Sequence, residues 1–360
     1  MAESLIFIKG STALRRLFKT IFKMFVLYLK GSPIVLEGCL MFATSPTTPI
    51  RIAVVGAGYW GKNLIRNFDA LGHLHTICDA RPDALAHFQT DYPHITGELS
   101  FEAVLANPDI DAVVLATPSL THYPLGKQVL EAGKHLYVEK PLATTLADAQ
   151  DLVQVAQSHQ KTLMVGHLLM YHPAINRVKQ VIDSGVLGDL RYIQSDRLNY
   201  NHGRNDRNVF WDLAPHDLSV LIYLMNGQTP QVKAVTAQNG SAVDDKIDLV
   251  QASFQFPNGV IAHLQTSWMY PKKQVQLLVV GTKASLILDD TLPLANRLVQ
   301  VHFDEQGNRH EKMVEYLALE PLRLECQHFV NALLGGWQPQ SDDQNGLAVV
   351  EVLENVQQLL

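Results

Sequence analysis

Short apolar runs alternate with helical spacing through the first half of the chain, and the period of the pattern then falls to two. Residues 50–55, IRIAVV, are rich in β-branched side chains, the pattern of a parallel strand covered on both faces. Gly61, Leu64, Ile65 and Phe68 follow at helical spacing until Gly72 ends the pattern. Further strands are predicted at 75–79, 110–117, 135–140 and 162–167. Between them, helical spacing runs from Leu125 through Val129 and Leu130 to a terminating glycine, Gly133. It returns over roughly 143–160, with Thr144 or Thr145 as N-cap. Strands alternating with helices imply right-handed crossovers and a doubly wound parallel sheet.

Beyond about residue 190 apolar and polar positions alternate. Val250, Ala252, Phe254 and Phe256 take turns with Gln251, Ser253 and Gln255. After Asn258-Gly259 the alternation resumes with Val260, Ala262, Leu264, Thr266 and Trp268, a hairpin with a strong turn signal. Residues 274–290 read as two more strands around Gly281. These strands make an antiparallel sheet with one buried face. The other face, with its glutamines and His263, is either solvated or paired with another subunit. Helical spacing returns from about 320 (Leu324, Phe329, Val330, Leu333) and over 345–360, able to pack back on the first half. The expected class is α/β: a doubly wound parallel sheet over 50–168, then an α+β domain over 169–360 with an open, mostly antiparallel sheet.

Gly56, Gly58 and Gly61 form G-x-G-x-x-G between the first strand and the first helix. The first glycine permits the tight turn, and the second lets backbone approach a pyrophosphate. The third lets helix and strand pack closely, and the helix N-terminus offers N–H donors to phosphate. Asp79 ends the next strand, 18 residues beyond Gly61, where it can accept from a ribose 2′-hydroxyl. Motif and acid together predict a dinucleotide site, which makes 50–168 a Rossmann domain. Asp79 repels a 2′-phosphate and so favours NAD over NADP. Arg81 is the counter-signal, able either to meet that phosphate or to stand solvated at the start of a helix.

Glu139-Lys140-Pro141 ends a parallel strand, at the edge where open α/β sheets bind ligands. Lys140 is there either a donor to the oxygen being oxidised or a surface lysine at a strand end. Asp212 and His216 stand four apart, on one face if that turn is helical. A histidine oriented by a carboxylate is a proton acceptor suited to a carbinol. The alternatives are that Asp212 caps the helix, with Pro215 tolerated in its first turn, and that His216 is a buried structural histidine.

The stretches GAGYWGKN, TPSLTHYPLGKQVLEAGKHLYVEKPLA, VGHLLMYHPAI and WDLAPHDLSVLIYL occur in this order. Together they resemble the glucose–fructose oxidoreductase/inositol dehydrogenase (Gfo/Idh/MocA) family from residue 50 onward. The resemblance implies a Rossmann domain joined to an open-faced α/β domain, and a homo-oligomer, dimer or tetramer, formed through that sheet. It implies that Lys140 and His216 are catalytic with Asp212 near the substrate, and that Lys140-Pro141 is a cis bond. It places Thr117, Pro118 and His122 beside the cofactor, together with Tyr59 and Trp60 of the glycine loop and Glu139. Within the family, GYWGKN and RLNYNHGRNDRNVFWDLAPHD are most similar to dehydrogenases oxidising the 3-hydroxyl of UDP-N-acetylglucosaminuronate. By that similarity His167, Arg197, Asn199 and Arg204 line the substrate pocket. For Arg197 and Arg204 the alternative is salt bridging on the sheet surface.

Composition narrows the partners. The chain has 360 residues, 47% of them hydrophobic and 18% charged, with a formal charge of −6 that gives no reason to expect nucleic acid. Cys39, Cys78 and Cys326 lie far apart, with no metal-like spacing, as in a cytoplasmic protein with reduced thiols. Residues 1–49 fall outside the resemblance and carry six basic residues against Glu3 and Glu37. Their apolar run is interrupted by lysines and falls short of a spanning helix. Three readings stand: translation starting at Met41, a disordered or interfacial arm, and a targeting segment. The expected activity is NAD-dependent oxidation of a secondary hydroxyl on a sugar, above all a nucleotide-linked one. The competing classes are a free sugar or cyclitol dehydrogenase, a non-catalytic NAD-binding regulator and, resting only on the N-terminal arm, a membrane-attached factor.

Overall fold

The computed structural model describes residues 50–200, 208–240 and 247–360. The N-terminal arm, with Met41 and Cys39, and Arg204 lie outside them. In chain order the first half runs β1 (Ile52–Val55), α1 (Gly61–Ala70), β2 (Leu74–Cys78), α2 (Pro82–Asp91), β3 (Thr96–Glu98), α3 (Phe101–Ala106) and β4 (Ala112–Leu115). It continues with α4 (His122–Glu131), β5 (His135–Glu139), α5 (Leu146–Ser158), β6 (Leu163–Gly166) and α6 (Pro173–Asp183). The strands make a parallel sheet in the order β3-β2-β1-β4-β5-β6. Thr145 caps α5 by accepting from the Asp148 N–H, and Gly72 and Gly133 follow the ends of α1 and α4. The short strand β3 carries no apolar run and escapes the sequence pattern.

β1 shows why its residues are apolar without alternation. Ala53 and Val55 point into a core under α3, α4 and α5, while Ile52 and Val54 point into a second core under α1. The strand is buried on both faces.

The second half contains β7 (Leu190–Tyr200), α7 (Val209–Leu224), β8 (Gln231–Asn239), β9 (Ile247–Gln255), β10 (Ile261–Ser267) and β11 (Met269–Gly281). After them come β12 (Ser285–Asp289), β13 (Leu298–Phe303), β14 (Arg309–Met313), α8 (Pro321–Gly335) and α9 (Asp343–Gln357). The eight strands order as β14-β13-β12-β11-β7-β10-β9-β8, antiparallel except for β10 beside β7. Asn258-Gly259 turns β9 into β10 with Gly259 at φ +87°, a left-handed conformation natural only to glycine. One sheet face packs on α6, α7 and α9 through Val178, Phe210, Leu218, Phe254, Leu264 and Leu353. The other carries Gln194, Gln251 and Gln265 in facing register, with His263 bonded to Ser253.

The C-terminal helices return to the parallel sheet. Phe329 of α8 meets Phe68 and Tyr137 edge-on, and Val350 of α9 joins the core under α5 while Val349 and Leu353 face the second sheet. No helix among the described residues is long and apolar enough to cross a membrane.

Candidate active site

A cavity of about 1250 Å³ opens at the carboxyl ends of β1, β2, β4 and β5, where the strand order reverses between β1 and β4. Open α/β sheets bind ligands at this place. Its wall takes Gly56, Gly58, Tyr59, Trp60, Asp79 and Arg81 from the first two strand ends, and Thr117, Pro118, His122, Glu139 and Lys140 from the next two. The second half adds Arg197, Asp212 and His216.

The three glycines do different work. Gly56 sits at φ +98°, and a Cβ there would stand 2.7 Å from the Ala116 carbonyl oxygen. At Gly61 a Cβ would fall 1.8 Å from the Gly56 oxygen, so this glycine lets α1 close on the turn behind the cavity wall. A Cβ on Gly58 would meet nothing within 4 Å: this residue faces open space. An uncovered backbone at a helix N-terminus fits a dinucleotide pyrophosphate.

Trp60 anchors this loop by donating Nε1 to Glu139 Oε1 at 2.5 Å. Burial pushes the Glu139 carboxyl up to about 7, against the Trp60 bond and the Lys140 charge. Asp79 accepts from the Ala57 N–H at 2.9 Å and forms a two-pronged ion pair with Arg81. The Arg81 bonds hold its carboxyl below the usual range. His122 spans the site: Nδ1 lies 2.7 Å from the Pro141 oxygen and Nε2 2.9 Å from the Thr117 oxygen. Its ring ties the loop after β4 to the cis Lys140-Pro141 bond.

Asn208 caps α7, accepting from the Trp211 N–H at 3.0 Å, so Asp212 is not the cap. Pro215, expected in the first turn, lies one turn further inside the helix. Asp212 and His216 share a face as expected, but the Asp212 carboxylate pairs with Lys140, Nζ to Oδ1 at 3.7 Å. Lys140 Nζ also donates to the Asp212 carbonyl oxygen at 3.0 Å. The carboxylate thus orients the lysine. His216 Nδ1 is buried with no hydrogen-bond partner among the described residues. Burial, then the charges of Lys140 and Arg197, push His216 well below its ordinary value and keep it neutral.

His167 departs from its expected place on the substrate wall. It is fully buried, its Nδ1 donating to Asn345 Oδ1 at 2.7 Å, because the apolar end of β6 carries it behind the surface that Gly166 and Leu168 form. Asn199 likewise stays off the wall, with Oδ1 buried. Arg197 reaches the cavity with its fork already engaged by Asp217. Asp217 and Asn345 escaped the sequence pattern; the one available hint was a carboxylate directly after His216, inside an apolar helix. Trp211, Leu168 and Leu169 also line the cavity unforeseen, since apolar residues there look like ordinary core.

Two family profiles match the chain: an oxidoreductase family, NAD-binding Rossmann fold, over residues 50–167, and the Gfo/Idh/MocA C-terminal domain over 175–287. UDP-N-acetylglucosamine 3-dehydrogenase of Acidithiobacillus ferrooxidans is 28% identical over 288 residues, 79% of this chain and 88% of that protein. A solved structure of that enzyme superposes with a TM-score of 0.76 at 25% identity, covering 87% of this chain and 98% of its own. D-xylose 1-dehydrogenase [NADP(+)] of Haloarcula marismortui is 23% identical over 336 residues, 87% of this chain and 91% of that protein.

Proposed function

The chain belongs to the Gfo/Idh/MocA oxidoreductase family, and from that premise we propose that it is an NAD-dependent dehydrogenase oxidising a secondary hydroxyl of a nucleotide-linked sugar. The carrying observation is that one cavity unites the open Gly58 backbone with Lys140, Asp212 and His216. Residues 50–168 hold the cofactor, and 169–360 hold the substrate and form the oligomer through the eight-stranded sheet.

Gly56, Gly58 and the N-terminus of α1 hold the pyrophosphate, with Asp79 at the adenosine ribose and Thr117, Pro118, His122 and Glu139 along the cavity wall. The nicotinamide supplies a hydride acceptor when bound. Lys140, fixed by Asp212, donates to the substrate hydroxyl oxygen and stabilises the charge that grows on it. His216 is neutral and therefore free to take the hydroxyl proton. Trp60 keeps the glycine loop against Glu139, and Arg197 borders the sugar side of the cavity.

The supporting relative acts on UDP-N-acetylglucosamine, and the motif similarity points to its 6-carboxylate counterpart. The test is nicotinamide reduction, followed by absorbance, with UDP-N-acetylglucosamine, UDP-N-acetylglucosaminuronate and myo-inositol. Turnover of either uridine nucleotide ahead of myo-inositol is expected. Faster oxidation of myo-inositol supports a cyclitol dehydrogenase instead. NAD binding without turnover of any of the three supports a non-catalytic regulator.

A further inference from the structure

Asp79 has two carboxylate oxygens with two lone pairs each, and every one of these positions is occupied. Oδ1 accepts from the Arg81 backbone N–H and from Arg81 Nε, both at 2.9 Å. Oδ2 accepts from the Ala57 N–H and from Arg81 Nη2, also at 2.9 Å. The Asp79 side chain is only 6% exposed, whereas that of Arg81 is 66% exposed and lies over it at the cavity mouth. A ribose hydroxyl therefore finds no acceptor on Asp79 while the guanidinium stays.

We propose that Arg81 is the specificity-determining residue for the cofactor: it leaves Asp79 to admit NAD and stays in place to admit NADP, so that the protein binds both. The proposal rests on the dinucleotide assignment made above. When the guanidinium swings out, two lone pairs of Asp79 become free for ribose hydroxyls, and the Ala57 and Arg81 N–H groups still hold the carboxylate in position. A 2′-phosphate makes the opposite demand. It needs the guanidinium in place, both to cover the carboxylate charge and to bind the phosphate oxygens with its remaining N–H groups. Solvent screens the largely exposed guanidinium, so the pair opens readily. Arg81 provides no side-chain cap to α2, which frees it to move without disturbing that helix.

The experiment is equilibrium binding of NAD and of NADP, without sugar, to the full chain and to its Arg81→Ala and Arg81→Lys variants. Quenching of tryptophan fluorescence reports binding, since Trp60 lies on the cavity wall, and calorimetry checks it. Thermal unfolding confirms that each variant is folded. The unmodified protein should bind both nucleotides. Arg81→Ala should weaken NADP at least about tenfold, the scale of one lost charge-assisted contact, while NAD binds as tightly or more tightly. Arg81→Lys, which keeps the charge but not the fork, should fall between. Equal weakening of both nucleotides by Arg81→Ala overturns the proposal, because Arg81 would then be a shared adenosine contact. Unaltered NADP affinity overturns it as well. If neither nucleotide binds the unmodified protein, the dinucleotide assignment itself fails, a result distinct from a variant that leaves discrimination unchanged.

Discussion

Arg197 on β7 and Asp217 on α7 form a two-pronged pair, Nε to Oδ2 at 2.5 Å and Nη2 to Oδ1 at 3.1 Å. Ser195 adds a third bond to the same carboxylate at 2.8 Å. An arginine so engaged is a wall of the substrate site with limited capacity for a new anion. If it binds substrate and transition state equally, Arg197→Lys should raise KM more than it lowers kcat. Steady-state kinetics on the nucleotide sugar decide this; equal loss in kcat and kcat/KM would mean that Arg197 acts only in the transition state. Asp217→Ala strands the guanidinium in a largely buried place and should cost roughly 3 kcal/mol in urea unfolding, the usual scale for a broken buried pair.

Lys140→Ala and His216→Ala each remove a group from the reacting end of the cavity. Each should cut kcat by about 10²–10⁴-fold, the usual contribution of a positioned proton-transfer group. Cofactor binding should survive in His216→Ala, because His216 belongs to α7 and not to the glycine loop. A His216→Ala enzyme with unchanged kcat would remove it from the chemistry and leave Lys140 as the sole candidate.

Gly58 and Gly61 belong to one motif yet should respond differently to a methyl group. Gly58→Ala adds a Cβ that touches nothing, so unfolding should stay within about 0.5 kcal/mol while nucleotide affinity falls. Gly61→Ala drives a Cβ into the Gly56 carbonyl and should cost about 1–3 kcal/mol or more of stability, as overpacking does. Full nucleotide affinity in Gly58→Ala would show that the open space beside that residue is not where a phosphate lies.

The legible parts of the molecule were those that local pattern determines. β1 is apolar without a gap because both of its faces are buried, and the β9–β10 hairpin alternates because only one of its faces is. The cavity wall was largely legible for a related reason, since the glycines, Asp79 and the Glu139-Lys140-Pro141 run all sit at strand ends that the parallel pattern locates. What failed was the assignment of partners. Spacing of four placed Asp212 beside His216, but a residue that follows β5 by tertiary packing, Lys140, took the carboxylate. His167 was put on the substrate wall by similarity, yet its partner is Asn345, 178 residues away in sequence. No period in a sequence reports a contact of that separation.

His167 also gives a pH dependence with a definite sign. It is fully buried, with Nδ1 on Asn345 and Nε2 buried without a partner among the described residues. Burial holds it down to about 4, against an ordinary value near 6.5. Between those two values the unfolded chain binds a proton that the folded chain refuses, so stability rises with pH across this window and is lost as pH falls through it. The displacement corresponds to about 3 kcal/mol, reached near pH 4 and absent above pH 7. His135 and His328 are also pushed down to about 4 by burial, so the acid loss of the unmodified protein is a sum. The difference from a His167→Gln variant isolates one member of that sum. Glutamine keeps a polar group toward Asn345 but cannot titrate. The variant should therefore be the less stable protein at pH 7, from lost packing, and should lose up to about 3 kcal/mol less than the unmodified protein between pH 7 and pH 4. Urea midpoints at half-unit steps of pH measure both curves. If they run parallel, His167 takes up its proton in the folded protein as readily as in the unfolded chain, and the buried, neutral imidazole assigned to it here is wrong.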